Sequence, residues 1–158
     1  MLLQDTYESP LGTLWLTGTR SRLTGLSFKE RTGQQAVSGE FDLVKKWLDS
    51  YFLGEAPAPD FPMAPAGTAF QKLIWELLLR IPFGQTRTYG QLAREAAEIL
   101  GKKTMSAQAV GQAVGRNPIA IIIPCHRCLS AGGKLTSYAY GVERKAWLLE
   151  HERKQEAN

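Results

Sequence analysis

The sequence has few of the residues and runs that mark several large classes of protein. Among 158 residues there are only two cysteines and two histidines, which exclude a disulfide framework. No apolar run approaches the roughly 18 residues of a membrane helix, and the longest aliphatic run is 119–123. The first residues lack the basic start and apolar stretch of a secretory signal. We therefore expect a cytoplasmic protein, or a nuclear one in a eukaryote, without a membrane partner.

The two parts of the chain differ in charge. Residues 1–62 carry eight acidic and six basic side chains, whereas residues 63–158 carry seven acidic and thirteen basic ones. A basic region is typical of a protein that binds a polyanion, most commonly nucleic acid. Lysines that only keep a protein in solution explain the same excess, so the charge alone leaves both interpretations open.

Residues 1–62 carry the pattern of a small sheet followed by one helix. Two short runs flank the turn signal Ser9-Pro10-Leu11-Gly12 and predict a β-hairpin, residues 22–29 predict a third strand, and residues 33–39 predict a loop. Between Phe41 and Phe52 the apolar residues recur at helical spacing. Four prolines between Gly54 and Gly67 then indicate a connector. We therefore predict two domains, 1–62 and 63–158.

Residues 63–158 are predicted to be mainly helical. Thr68, Thr88 and Ser106 each precede a helical apolar pattern and can cap its first turn. The predicted elements are helices from Thr68 to Leu79, Tyr89 to about Leu100 and Ala107 to Val114, a buried strand over 119–123, and a last helix from Gly141 to about Lys154.

The helices at 89–100 and 107–114 form a candidate helix-turn-helix. The later one contains almost only Ala, Gly, Val and Gln. Such small side chains let a helix backbone approach a narrow DNA groove closely. Tight packing inside a helical core is the more common reason for such a composition, so the helix by itself leaves the two readings open.

Cys125 and His126 carry candidate chemistry directly after the aliphatic run and Pro124. A free thiol has a pKa of about 8.5, and the thiolate is the nucleophile. An imidazole can take the thiol proton, directly or through a water, when a carboxylate orients it. The candidate carboxylates are Glu143, Glu150 and Glu152. Because neighbouring side chains on a strand point to opposite faces, these residues alone leave the pairing open.

The same residues form the motif Cys125-His126-Arg127-Cys128, which has two other interpretations. A thioredoxin-like dithiol follows the first strand of its fold, whereas this motif lies late in the chain. A structural zinc site takes four ligands, usually from two such pairs, and only His151 remains to contribute. We therefore predict no metal and no cofactor.

Several segments of the chain carry a combination of motifs in one order. The most specific is Asn117-Pro-Ile-Ala-Ile-Ile-Ile-Pro-Cys-His-Arg127, and segments 81–93, 109–117 and 135–152 surround it. Together they resemble the O6-alkylguanine-DNA alkyltransferases, which are suicidal DNA-repair methyltransferases. The resemblance extends from about Gly67 to Glu152, and Ser9-Pro-Leu-Gly-Thr13 resembles the N-terminal hairpin of that family.

This resemblance implies a fold, a reaction and a partner. The implied fold is α+β, with a small ribonuclease-H-like sheet domain followed by a winged-helix-like helix-turn-helix domain that carries the active cysteine. Proteins of this family flip O6-methylguanine out of duplex DNA and transfer its methyl group irreversibly to the cysteine, once per chain. The implied partner is double-stranded DNA containing O6-alkylguanine, contacted in its minor groove by a monomer that could bind cooperatively.

The resemblance also implies roles for individual residues. Cys125 would be the acceptor thiolate, His126 a base acting through a water, Glu152 its orienting carboxylate, and Asn117 a bridging amide. The substrate guanine would contact Tyr89, the backbone N–H of Ala139 and the carbonyls of Cys125 and Cys128, near Tyr140 and Lys145. The residues expected to contact DNA are Ser106, Ala107, Gln108, Ala109, Gly111, Arg116 and Arg127.

The sequence departs from the family pattern at four places. Gln108 stands where the family has an arginine that fills the gap left by the flipped base, so we expect weaker DNA binding. Ser137 and Tyr140 stand where glycines are usual, and Tyr140 would restrict larger alkyl groups. Cys128 replaces an aliphatic residue. Residues 95–104 lengthen the connection within the helix pair.

Two other functions stay open at this point. A non-catalytic sensor would bind the alkyl lesion without using the thiol. A redox-switched DNA-binding protein would oxidise Cys125 together with Cys128. The substitution Cys128→Ser separates the switch from the main hypothesis, because repair would persist in it and a dithiol switch would vanish.

Overall fold

The protein, described by a computed structural model over residues 2–36, 39–135 and 137–156, divides into two compact units. The first comprises Met1–Ala66 together with Pro118–Ile122, and the second comprises Gly67–Asn117 together with Ile123–Asn158. The short segment Pro118–Ile122 thus packs with the first unit, although it lies far along the chain. No helix within the described residues has the length and apolar character of a membrane span.

The first unit is built on a four-stranded sheet in the order β3-β2-β1-β4. The strands are β1 (Leu3–Ser9), β2 (Gly12–Gly18), β3 (Leu23–Ser27) and β4 (Gln34–Gln35). β1 and β2 pair antiparallel up to Ser9 and Gly12, which confirms the predicted hairpin. β4 lies in a segment predicted to be loop, and it pairs parallel with the start of β1. Two exposed glutamines carry no hydrophobic pattern that would indicate a strand.

One helix, α1 (Asp42–Phe52), completes this unit. Its buried face consists of Val44, Trp47, Leu48 and Tyr51, as the helical spacing predicts. Two polar contacts tie the helix to β1: the Tyr7 hydroxyl donates to Asp49 at 2.6 Å, and the Lys45 ammonium lies 2.8 Å from Asp5. The Trp47 indole donates to the Pro57 carbonyl at 2.7 Å, which holds part of the proline-rich connector against α1.

Within the described residues, the second unit has four α-helices. They are α2 (Ala69–Leu79), α3 (Tyr89–Leu100), α4 (Ala107–Gly115) and α5 (Val142–Glu156). Thr68 and Thr88 each form a capping box with the glutamine three residues later, and the Ser106 hydroxyl accepts from the Ala109 N–H. All three predicted caps are therefore confirmed. The Trp75 indole of α2 donates to the Ala113 carbonyl of α4 at 2.9 Å and joins these two helices.

The predicted strand over 119–123 is wrong, although the run is buried. Only Ile119 forms a bridge, to β3, and the chain then turns. The Ile122 N–H donates to the Ala120 carbonyl across Ile121, whose φ is +69°. This γ-turn geometry is strained, above all for a β-branched residue. Packing of the apolar run overrides its local preference for a strand.

Two short strands of the second unit carry no sequence signal. β5 (Arg87–Thr88) pairs parallel with β6 (Cys128–Leu129), with Arg87 opposite Cys128 and Thr88 opposite Leu129. This ladder fixes the residue before α3 beside the residues that follow Cys125. It therefore positions the first residue of α3, Tyr89, close to the cysteine motif.

Candidate active site

Cys125 begins a single 3-10 turn, Cys125–Arg127, rather than leaving a strand. Its N–H donates to the Ile123 carbonyl at 2.8 Å across Pro124, which forms an inverse γ-turn with φ −83° and ψ 66°. The Cys128 N–H in turn donates to the Cys125 carbonyl. Tight turns, and not an extended strand, therefore set the backbone at Cys125 and His126. Cys125 lines the pocket described next, whereas His126 contacts Glu152.

A pocket of about 250 Å³ opens at Cys125. Its lining residues are Tyr89, Gly111, Val114, Gly115, Asn117, Cys125, Ser137, Tyr138, Ala139 and Tyr140. A Cβ at Gly111 would lie 3.7 Å from the Tyr89 ring, so any larger side chain there would fill the space beside the tyrosine. The residues of α4 thus have two roles. Gly111 leaves space in the pocket beside Tyr89, whereas Val110, Ala113 and Val114 are buried within the helical unit.

His126 lies within a buried ionic cluster with Glu152 of α5 and Arg127. The His126 Nε2 is 2.6 Å from Glu152 Oε2, and Arg127 Nε donates to Glu152 Oε1 at 2.8 Å. The backbone N–H of Gly84 donates to the same carboxylate at 3.1 Å. Of the three glutamates that the sequence offered, only Glu152 makes this contact. Arg127 also donates to the Ile81 carbonyl at 2.7 Å, so its guanidinium is held from both sides.

The electrostatics of this cluster fix the protonation state of His126. Burial alone would raise the pKa of Glu152, but the hydrogen bonds from His126 and Arg127 and the charge of Arg127 outweigh it and hold that pKa well below its usual range. Burial lowers the pKa of His126, and Glu152 only partly opposes this. Because the carboxylate can only accept, the neutral imidazole carries its proton on Nε2. Its Nδ1 is an acceptor, and it is buried without a hydrogen-bond partner among the described residues.

The Cys125 thiol is protonated at rest. Burial raises the pKa of this thiol, while a hydrogen bond from Asn117 and the charge of Lys145 oppose the effect. The Asn117 amide also donates to the Ile123 carbonyl at 2.8 Å, which links the end of α4 to the turn before Cys125. A base is therefore needed to form the thiolate at neutral pH, and the free acceptor on His126 is suited to that task.

Lys145 of α5 is fully buried and ties the far side of the pocket together. Its ammonium donates to the Cys128 carbonyl at 2.7 Å and to the Ser137 carbonyl at 3.0 Å. Burial lowers the pKa of this ammonium, and the neighbouring thiols of Cys128 and Cys125 oppose that shift. The lysine thus connects the residue after the 3-10 turn with the loop that carries Ala139.

Two family models match the chain, and together they cover most of it. The 6-O-methylguanine DNA methyltransferase ribonuclease-like domain matches residues 2–65, and the 6-O-methylguanine DNA methyltransferase DNA binding domain matches residues 69–154. The chain belongs to this family. The predicted resemblance and the predicted fold class, a sheet domain followed by a helical DNA-binding domain, are thereby confirmed.

Curated relatives and solved structures match nearly the whole length of this chain. A methylated-DNA–protein-cysteine methyltransferase of Methanosarcina acetivorans is 41% identical over 153 residues, which span 92% of this chain and 95% of the relative. One of Mycobacterium bovis is 42% identical over 159 residues, spanning 97% and 93%. The crystal structure of Mycobacterium tuberculosis OGT in complex with DNA has a TM-score of 0.86 at 41% identity, and covers 97% of this chain and 94% of that one.

Most of the residues expected to contact DNA in this methyltransferase family member lie on one exposed stretch. Ser106, Ala107, Gln108 and Arg116 are exposed, and Ala109 and Gly111 are partly so. Arg127 does not lie with them. Its side chain is 9% exposed and bound to Glu152, so it has no accessible donor face for a phosphate. We therefore assign Arg127 to the ionic cluster of His126 in place of the DNA contact expected from the sequence.

Three residues that line the pocket were not assigned to the site from the sequence: Val114, Gly115 and Tyr138. Of these, Tyr138 lies nearest to the chemistry. The Tyr138 hydroxyl is buried and lies next to the Cys125 thiol. Burial raises the pKa of this phenol, and nearby Cys125 raises it further. The Tyr138 ring stands edge-on to that of Tyr140, with centroids 5.5 Å apart. The sequence shows only a loop with two tyrosines, which does not indicate which of them faces the thiol.

Proposed function

We propose that the protein is a methylated-DNA–protein-cysteine methyltransferase that repairs O6-methylguanine in double-stranded DNA by direct reversal, with Cys125 as the acceptor. One observation carries the proposal: the Cys125 thiol lines a pocket, and His126, the next residue in the chain, has its Nε2 held by Glu152 and its Nδ1 without a hydrogen-bond partner among the described residues. Family membership supports the same activity.

The proposed reaction is a displacement at the methyl carbon. The Cys125 proton passes to His126 Nδ1, directly or through a water, and the resulting thiolate attacks the methyl group. A sulfur–carbon bond forms while the bond between the methyl carbon and guanine O6 breaks, and its electron pair stays on guanine. The thiol proton replaces the methyl group on the base overall. Tyr89 and Ala139 line the pocket, and in this proposal the Tyr89 hydroxyl and the Ala139 N–H donate to the departing base.

The proposed product explains a single turnover. The methyl group ends in a thioether, and none of the pocket residues named above is a nucleophile positioned to reverse it. Each chain therefore repairs one lesion. The guanine amine would donate to the carbonyls of Cys125 and Cys128; the latter already accepts from Lys145, and a carbonyl has a second lone pair to offer.

The proposed DNA interface is the exposed face of α4, lying in the minor groove, with the target base flipped into the pocket. The pocket is sheltered between α4, Tyr89 and the 137–140 loop, so a base within an intact duplex could not reach the thiol. We further propose that the protein acts as a monomer, and in the compartment that holds the chromosome: the cytoplasm, or a eukaryotic nucleus.

The test is intact-protein mass spectrometry after incubation with duplex DNA that carries one O6-methylguanine, followed by peptide mapping. We expect each chain to gain one methyl group, located on Cys125. The variant Cys125→Ser should gain none, and the matched variant Cys128→Ser should gain one. Lesion binding without added mass would instead identify a sensor, and DNA binding that responds to oxidation in the wild-type protein but not in Cys128→Ser would favour a dithiol switch. Burial raises the pKa of Cys128 to about 12, which argues against that switch.

A further inference from the structure

We infer that the groove along α3 and its connection to α4 is a second DNA contact, in which Arg94 of α3 and Lys102 and Lys103 of the connection bind the sugar-phosphate backbone of the DNA strand next to α4. The inference extends the proposed function and rests on it for the identity of the partner. It concerns a surface outside the catalytic pocket.

A groove of about 590 Å³ runs along α3 and its connection to α4. Small residues of α3 form its floor: Gly90, Ala93 and Ala97. Polar and basic side chains form the rest of the lining, namely Arg94, Glu98, Lys102, Lys103 and Thr104, with Met105 and Ala107 at the start of α4. The groove therefore combines small residues, which leave space, with basic side chains. This combination favours binding of the phosphate backbone of DNA.

The three cations of this groove are available to a partner. Arg94, Lys102 and Lys103 are exposed, and along the described part of the chain none of them takes part in an ion pair, side-chain hydrogen bond or ring contact. Glu98 is the one acidic residue among those that line the groove. The local charge is thus positive and uncompensated by the protein, as expected where phosphates complete the pairing.

The backbone that carries the two lysines is fixed by the end of α3. Gly101 adopts a left-handed conformation with φ +67°, and the Lys102 N–H donates to the Ala97 carbonyl at 2.8 Å. This is a hydrogen-bonded helix terminus. The two lysines therefore follow an ordered helix terminus, and less backbone freedom is lost when they bind a phosphate.

The residues that line the groove adjoin both parts of the proposed interface in the chain. Gly90, at one end, directly follows Tyr89 of the pocket, and Ala107, at the other end, precedes Gln108 on the exposed face of α4. Gln108 brings no charge to that face. The three cations of the groove would supply the electrostatic attraction that α4 itself lacks. In this arrangement a DNA strand bound along α4 also contacts these cations.

The test is the salt dependence of binding to an undamaged duplex, measured by fluorescence anisotropy with the full chain. We expect Lys102→Ala/Lys103→Ala to reduce the slope of log K against log salt by about 0.9 for each phosphate that the variant no longer neutralises, hence by about 1.8. The control Lys46→Ala/Lys154→Ala removes the same charge from exposed positions on α1 and α5 and should keep the wild-type slope. Melting temperatures of both variants check that each is folded.

The outcomes separate this inference from the proposed function. A slope that stays at the wild-type value in the Lys102/Lys103 variant, an equal fall in the control, or a wild-type protein that binds no duplex would each overturn the phosphate contact. If Lys102→Ala/Lys103→Ala lowers the slope as expected but the wild-type protein gains no methyl group on Cys125, the proposed reaction is overturned and the phosphate contact stands.

Discussion

The single side chain of Glu152 sets the tautomer of His126 and compensates the charge of Arg127. Its carboxylate accepts from His126, from Arg127 and from the Gly84 backbone. The contact with His126 selects the tautomer, since it keeps the proton on Nε2 and leaves Nδ1 as an acceptor. The contact with Arg127 compensates a guanidinium that is almost wholly buried. Both the chemistry and the stability of the site therefore depend on this one charge.

We predict that Glu152→Gln slows methyl transfer by a factor on the order of 100, because an unanchored imidazole loses most of its value as a base. We also predict a loss of roughly 3 kcal/mol in the free energy of unfolding, because Arg127 is left buried without its counter-ion. Single-turnover kinetics and urea denaturation measure the two effects. Glu150→Gln, which removes an exposed partner of Arg153, should change neither, and an unaltered rate in Glu152→Gln would remove Glu152 from the proposed mechanism.

Tyr140 affects which alkyl groups the pocket accepts. It lines the pocket and packs edge-on against Tyr138. We predict that Tyr140→Gly raises the rate with O6-benzylguanine relative to O6-methylguanine at least about tenfold, the value of one well-placed steric contact. Competition between the two bases, read by mass spectrometry, gives the ratio. An unchanged ratio would show that another residue limits the pocket.

Helix α3 has its first residue, Tyr89, in the pocket, so its N-terminal cap has a functional as well as a structural effect. The Thr88 hydroxyl accepts from the Gln91 N–H at 3.1 Å, and the Gln91 side chain accepts from the Thr88 N–H at 2.8 Å. Helix α2 has the same capping box at Thr68 and Gln71, but no residue of α2 lines the Cys125 pocket. The chain therefore contains a matched pair of caps.

We predict that Thr88→Ala and Thr68→Ala each lower the free energy of unfolding by about 1 kcal/mol, the usual value of such a cap. Only Thr88→Ala should also slow methyl transfer, since it loosens the turn that carries Tyr89. Thermal denaturation and single-turnover rates on the two variants measure these effects. Equal rates in both variants would mean that β5 alone positions the tyrosine.

The helices and the buried run 119–123 show which features can be predicted from residues close together in the chain. The three helix starts follow from residues within one turn of each cap, and the structure has them where the sequence predicts them. The run 119–123 has an equally strong local preference for a strand, yet it forms a bridge and a γ-turn. A cap is an interaction over three residues, whereas the path of a buried segment depends on what surrounds it.

The stability of the whole molecule is expected to fall in acid in two steps. Because the pKa of His126 is lowered in the folded state, the unfolded chain takes up a proton first, and stability is lost as the pH falls below about 6.5. Because the pKa of Glu152 is also lowered, a further loss follows below about 4.5, when the unfolded carboxylate becomes protonated.

Urea denaturation between pH 8 and 4 measures this dependence, and NMR titration of the two imidazoles assigns it. We predict a His126 resonance that does not titrate near its ordinary pKa and a free energy of unfolding that decreases steadily from about pH 7 to about pH 5. A stability that is constant over that range, or a His126 that titrates like an exposed imidazole, would contradict the assignment of a neutral buried base.

The sequence by itself determined the caps, the hairpin, the apolar faces of the helices and the motif that identifies the family, because each depends on residues close together in the chain. The tertiary structure decided which of three glutamates orients His126, that Arg127 is buried with it, that Tyr138 faces the thiol, and that Pro118–Ile122 packs with the first unit. These are contacts between residues far apart in the chain, and packing and charge compensation select them among alternatives that local patterns leave equal. The predicted domain boundary at residue 62 stays a prediction, and the individual roles in catalysis stay predictions that the experiments above test.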